Sequence, residues 1–173
     1  MRKILTCALA AGALWLPLAQ AANPLGEINI QLYGNVVDFT CVAEGSDASK
    51  TVPLGTWATK QLKTAGSKTQ AMPFTLKLTG CPPGAASITF SGKTNAQDTQ
   101  LLALNDASNA TNVAVEILDG DKTRLPLLQA SREVVIDANG DAELSFYAHY
   151  IATANNPQPG RADADATFMI NYN

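Results

Sequence analysis

His149 is the single histidine of this 173-residue chain, with Ser145 four positions before it and aspartates distributed through the rest. Those types belong to a hydrolytic triad. Such a nucleophile, however, sits on a strained G-x-S-x-G turn, and no such pattern occurs. His149 is therefore read as a partly buried strand residue. Asp137, Asn139, Asp141 and Glu143 offer oxygen ligands at alternate positions, as a calcium loop does. The run lacks the bidentate Glu that closes such a loop at its twelfth position. Asn139-Gly140 is instead read as a tight hairpin turn between two strands. Asp163 and Asp165 are expected to be solvated in a loop, and Asn109-Ala110-Thr111 is a glycosylation sequon of a length that arises by chance. Trp57 and Tyr150 are the candidates for a sugar-binding patch, with packing the expected role of both. No acid, base and nucleophile converge, so no catalysis, metal or cofactor is expected.

The cysteines take their meaning from the compartment. Met1 to Ala21 has the form of a secretory signal: Arg2 and Lys3, an apolar stretch from Ile4 to Leu18, and a small-x-small site at Ala19-Gln20-Ala21. The apolar run is about 15 residues, short of the roughly 20 that span a bilayer. Cleavage is expected after Ala21 in preference to Ala22, and no other segment is apolar and long enough to cross a membrane. Removal of residues 1–21 takes Cys7 with it and leaves Cys41 and Cys81, an even pair that an exported protein most simply joins. The bridge closes a loop of about 40 residues, worth about 4 kcal/mol in the chain-entropy model. With only His149 to add, the pair makes no zinc site, and it lacks C-x-x-C spacing.

The elements that must position these residues are strands. Ile28, Ile30 and Leu32 alternate with polar neighbours; so do Phe74, Leu76 and Leu78, then Ile88 and Phe90, while Val113, Val115 and Ile117 alternate with Ala114 and Glu116 before an Asp119-Gly120 turn. Val134 and Ile136, then Leu144, Phe146 and Ala148, and finally Phe168, Ile170 and Tyr172 repeat the pattern. Only Ala96 to Ala107 has room for a turn or two of helix. Short strands separated by Gly, Pro, Asn and Asp predict a single all-β domain, a β-sandwich. Composition agrees: 46% hydrophobic, 16% charged and 6% aromatic residues do not suit a coiled coil or a charged disordered tail. Net charge is −3, with no basic run. The expected mature chain, without Arg2 and Lys3, carries ten basic groups against fifteen acidic ones, a net −5. Nucleic acid is excluded as a partner, because its phosphates demand clustered cations.

Both ends of the chain are unusual for a self-contained sandwich. An apolar-faced strand from Gly26 to Leu32 precedes the first of the paired cysteines, and the run from Thr167 to Tyr172 is followed by no turn or return strand. The same pattern also fits plain first and last strands paired within one closed sandwich.

The residues resemble the pilin subunits of chaperone–usher fimbriae, of the type 1 and P pilus class, over essentially the whole mature chain. Gly34-Asn35-Val36-Val37-Asp38-Phe39-Thr40-Cys41 is similar to the family's G-x-V-V-x-x-x-C block, and Leu78-Thr79-Gly80-Cys81-Pro82 to its second-cysteine block. Leu54-Gly55-Thr56 before Trp57 resembles its L-G stretch. Tyr147-Ala148-His149-Tyr150, Pro159-Gly160-Arg161-Ala162 and the terminal Ala166 to Asn173, with its penultimate aromatic, resemble its C-terminal signature.

The resemblance implies an incomplete immunoglobulin-like β-sandwich that lacks its final strand and carries an N-terminal donor-strand arm. Residues 1–21 are then the signal peptide, 22–33 the arm and 34–173 the pilin domain. It implies a structural subunit that polymerises by donor-strand exchange, contributes to bacterial adhesion and travels through the periplasm to a cell-surface fimbria. Its partners are a periplasmic pilus chaperone, an outer-membrane usher and neighbouring pilin subunits, with no nucleic acid and no membrane span. On the donor side stand Ile28, Ile30 and Leu32, with Gly26 in register as the small residue where exchange starts. Each buried aliphatic is worth roughly 1.5–3 kcal/mol, so three give about 5–9 kcal/mol before ordering costs. On the acceptor side Phe168, Ile170 and Tyr172 edge the groove, and the chaperone holds the terminal carboxylate of Asn173. A tip adhesin carries an extra receptor domain, so a shaft, adaptor or minor subunit fits this length. The competing reading is a self-complete secreted β-sandwich that binds a sugar or protein ligand.

Overall fold

The computed structural model describes residues 41–45, 47 and 49–173. The expected signal segment of residues 1–21, the donor positions Gly26, Ile28, Ile30 and Leu32, and the block from Gly34 to Thr40 all lie outside the described residues.

Alternation of apolar and polar residues becomes seven antiparallel strands in two layers. They are β1 (Val42–Ala43), β2 (Met72–Thr79), β3 (Ala85–Gly92), β4 (Val113–Leu118), β5 (Val134–Val135), β6 (Ala142–Ala152) and β7 (Ala166–Tyr172). One sheet runs β1-β2-β6-β4 and the other β5-β3-β7. A short 3-10 turn, Thr59–Leu62, is the helical element among the described residues. Ala96 to Ala107 forms no helix. Its chain is held extended by Leu102, which bridges both Thr94 and Val115, and extended pairing consumes the amides that a helix needs.

The inward faces meet in an aromatic cluster that joins the layers. Phe74 and Phe146 of the first sheet lie 5.6 Å apart, and Phe90 of the second packs edge-on to Phe146 at 5.1 Å. Offset and edge-to-face geometries are those that aromatic quadrupoles favour. Leu76, Leu78, Ile88 and Leu144 complete a core sealed from solvent. Cys41 and Cys81 are joined, which ties the start of the two-residue β1 to the end of β2. A strand of two residues gains little from its own ladder, so the bridge supplies its anchorage.

Two turns differ from their sequence reading in what they connect. Asp119-Gly120 does reverse the chain, with Asp119 N–H donating to Thr123 and Leu125 N–H to Ile117, but the return is a bridge and not a strand. Asn139-Gly140 is a tight turn held by Asp137, whose carboxylate accepts the amides of Asn139 and Asp141 at 2.9 Å. It is not a hairpin within one sheet: β5 pairs with β3 and β6 with β2 and β4, so the turn passes from one layer to the other.

Candidate functional site

The strand β7 lies at the margin of its sheet. Its seven residues pair with β3 from Ala166↔Gly92 to Tyr172↔Ala86, and no described strand pairs with its other edge. Register places Phe168, Ile170 and Tyr172 opposite Phe90, Ile88 and Ala86, all three of which are core residues. The three side chains therefore face inward, yet their cover is incomplete. Phe168 and Ile170 are half-buried against the core, and Tyr172 is 52% exposed. Apolar side chains turned toward a core but left part-open, beside a backbone edge with no described partner, are the combination that strand addition uses in general.

Both ends of β7 are held firmly. At its C-terminal end Asn173 N–H donates to the Ala85 carbonyl at 3.0 Å, and Ala85 N–H donates to the Asn173 carbonyl at 3.2 Å. Gly84 makes this approach possible: at φ +149° it has no Cβ, and one would stand 1.9 Å from the Asn173 oxygen. The Asn173 amide also donates to Glu133 at 2.6 Å. At the other end the loop into β7 is laced to residues 105–111. Asn109 and Ala110 N–H groups donate to the Arg161 carbonyl, the Asn109 side-chain oxygen accepts Arg161 N–H, and the Ser108 hydroxyl donates to Asp163. The sequon asparagine is thus a loop clamp. Tyr150 of β6 adds a link across the layers by donating its hydroxyl to the Ala162 carbonyl at 2.7 Å. Burial, reinforced by the Asp163 charge, pushes that phenol above its ordinary value.

The outward face of the four-stranded sheet holds a group that sequence reasoning missed. Glu116 of β4 is 0% exposed and pairs across the ladder with His149 of β6. Its carboxylate accepts from His149 Nε2 at 2.5 Å, Lys68 Nζ at 2.7 Å and Arg124 Nε at 2.5 Å, and Arg124 also donates to Asp98 at 2.8 Å. Burial pushes the carboxyl up, but hydrogen bonds from His149, Lys68 and Arg124 outweigh it and hold the group down at about 2. Alternation marks Glu116 only as a polar residue between Val115 and Ile117, so its burial leaves no local signal.

His149 is more deeply buried than expected, at 5% exposure, and is committed to this pair. Ser145 stands four strand residues away on β6, roughly 13 Å along the backbone. The distance separates the two as nucleophile and base. The carboxylate of Asp137 is likewise occupied by turn amides, chiefly those of Asp141 and Asn139, which hold it below the ordinary range. Trp57 donates its indole N–H to the Leu54 carbonyl at 2.6 Å, against Gly55 at φ +82°, so it packs on its own turn.

The family model described as fimbrial protein matches residues 30–173. The chain is 62% identical over 160 residues to a fimbrial-like protein, FimF, of Salmonella typhimurium, covering 92% of each. It is 33% identical to the fimbrial subunit type 1 of Salmonella typhimurium, covering 98% of each. Its fold matches a subunit from a solved chaperone–usher pilus with a TM-score of 0.64, at 19% identity, over 89% of this chain and 100% of that one. With its two antiparallel sheets and its marginal last strand, the chain belongs to the fimbrial protein family, the pilin subunits of chaperone–usher fimbriae.

Proposed function

We propose that this chain is a polymerising subunit that completes its fold in trans. A periplasmic chaperone first lends a strand to the outer edge of β7, and at the outer-membrane usher the arm of the next subunit replaces it. The observation that carries the reading is the outer edge of β7, which has no strand partner among the described residues while Phe168 and Ile170 face inward half-covered. The signal peptide spans residues 1–21, the arm 22–33 and the pilin domain 34–173. Gly26, Ile28, Ile30 and Leu32 enter a neighbour's groove, whose rim is Phe168, Ile170 and Tyr172. The chaperone anchors the end of the strand at Asn173. The role is structural, without catalysis, and serves adhesion through the fibre at the cell surface. What supports a structural role is that His149, Asp137 and Glu116 are each engaged by internal partners.

The test is denaturant unfolding of the chain from Gly34 onward, with its disulfide formed, with and without a peptide of residues 22–33. Strand acceptance predicts a large rise in the unfolding midpoint, because three buried aliphatics are worth about 5–9 kcal/mol gross. A neighbouring subunit's arm serves as a second peptide. A stable monomer indifferent to every arm peptide would leave a closed binding domain in place of the pilin reading.

A further inference from the structure

The edges of the two sheets are finished differently. Along β4, Leu102 and Val115 exchange both backbone hydrogen bonds at 2.9 Å, and Leu125 N–H donates to the Ile117 carbonyl at 2.9 Å. At the edge opposite β7, β5 is only two residues long. The remaining edge belongs to β1 and, beyond the two residues that β1 covers, to β2. In an antiparallel ladder alternate residues send both backbone groups to the same side. On β2 the set turned toward β1 is Pro73, Thr75, Lys77 and Thr79. The Lys77 carbonyl accepts Glu44 N–H at 2.8 Å, as a continuing ladder requires, but the Glu44 carbonyl does not return the bond. It accepts Asp47 N–H at 2.6 Å in a turn, and the Asp47 carboxylate takes the Lys77 N–H at 2.7 Å in its place. Asp47 is 2% exposed and is also held by Lys50 Nζ at 2.6 Å, so a strand arriving there has to displace a seated, buried charge. Toward the other end of the edge, Pro73 is exposed and has no N–H to give. Between the two, Thr75 alone keeps both backbone groups without a partner among the described residues. The strand β7, by contrast, runs from Ala166 to Tyr172 with neither a proline nor a charged side chain.

We propose that Asp47 and Pro73 close the β2 edge to strand addition and so confine it to β7. The inference rests on the proposed acceptance of a strand at β7 and adds what selects that edge over its neighbour. Both sheets present apolar residues to one core, so inward side chains alone do not tell an arriving arm where to pair. Free backbone groups do, because an added strand is held by a run of N–H and C=O groups. Proline and charge are the means by which a sheet edge is blunted. Here the Asp47 carboxylate already supplies to Lys77 the acceptor that an added strand would bring, and Pro73 withholds the donor such a strand would need.

The test uses the exported protein, disulfide formed, with a fluorescent peptide of residues 22–33 in excess, and counts by sedimentation velocity the peptides that travel with each chain. Wild type should carry a single peptide. The double variant Asp47→Ala with Pro73→Thr frees the Lys77 N–H and adds one at residue 73, and it should carry a second. That peptide should slow hydrogen exchange at the Thr75 amide at least about tenfold in the variant and leave it unchanged in wild type. Asp47→Asn keeps an oxygen for the Lys77 N–H and should stay at a single peptide. A merely structural Asp47 would lower the unfolding midpoint without moving these counts. If loss of Asp47 prevents folding, Pro73→Thr alone, at an exposed position, carries the comparison through the Thr75 amide. A second peptide on wild type or on Asp47→Asn overturns the proposal, and so does a folded variant that holds no more peptide than wild type. A wild type that takes no peptide would sink strand acceptance at β7 alone. The peptide gained by the variant, with its protection of Thr75, would still mark the closed β2 edge.

Discussion

Replacing Glu116 with Gln removes one charge and almost no volume, so it leaves no cavity. It strips the shared counter-charge from Lys68 and Arg124 and presents an amide N–H to groups that are themselves donors. Loss of one member of a buried ionic cluster costs about 3–5 kcal/mol. Here Lys68 and Arg124 are 44% and 32% exposed and regain water, whereas His149 cannot, so the expected loss is about 2–4 kcal/mol at neutral pH. Proton linkage gives a matching figure: a fall from 4.5 to about 2 corresponds to roughly 3 kcal/mol at ~1.4 kcal/mol per tenfold change in proton affinity. The folded-state value lies below the unfolded one, so this stabilisation is complete above pH 4.5 and disappears as pH falls toward about 2. The assay is urea unfolding of the wild type and Glu116→Gln, disulfides oxidised, at steps from neutral pH down to about 2. Asp47, Asp121 and Asp137, also lowered, are common to both proteins and cancel in the difference. The gap between the two proteins should be widest above about pH 5 and shrink by roughly 3 kcal/mol at the acid end. A gap that ignores pH, or one below about 1 kcal/mol at neutrality, would refute the account of Glu116 as a compensated buried charge.

Two further substitutions probe the supports of β7. Gly84→Ala sets a Cβ 1.9 Å from the Asn173 oxygen and should break the Ala85–Asn173 pair at a cost of at least about 2 kcal/mol; hydrogen exchange at the Ala85 amide reads the loss directly. Tyr150→Phe deletes the hydroxyl bonded to Ala162 while keeping the ring, for an expected ~1 kcal/mol, seen as a lower urea midpoint with faster exchange confined to amides near residues 158–163.

The strands were legible because the period of two survives in single residues. Leu76 and Leu78, Ile88 and Phe90, and Val115 and Ile117 reach the core as their alternation requires. Phe168 and Ile170 do so less completely, because nothing described covers their edge. With residues 1–21 read as a leader, Cys81 is the one partner left for Cys41, so their pairing needed no long-range knowledge. Alternation stops short of naming neighbours. It does not say that β5 and β6 belong to different layers, which is why the Asn139-Gly140 turn crosses the sandwich.

Glu116 meets His149 only because β4 lies antiparallel to β6 in one register, 33 residues apart, and a shift by one would send the carboxylate into the core. Lys68 and Arg124 arrive at the same carboxylate from two other segments, and no local window contains that coincidence. Periodicity records which side chains share a face, because that depends on backbone geometry alone. What each face meets, and which edge is left without a partner, depends on contacts between distant segments and exists only once the chain has closed.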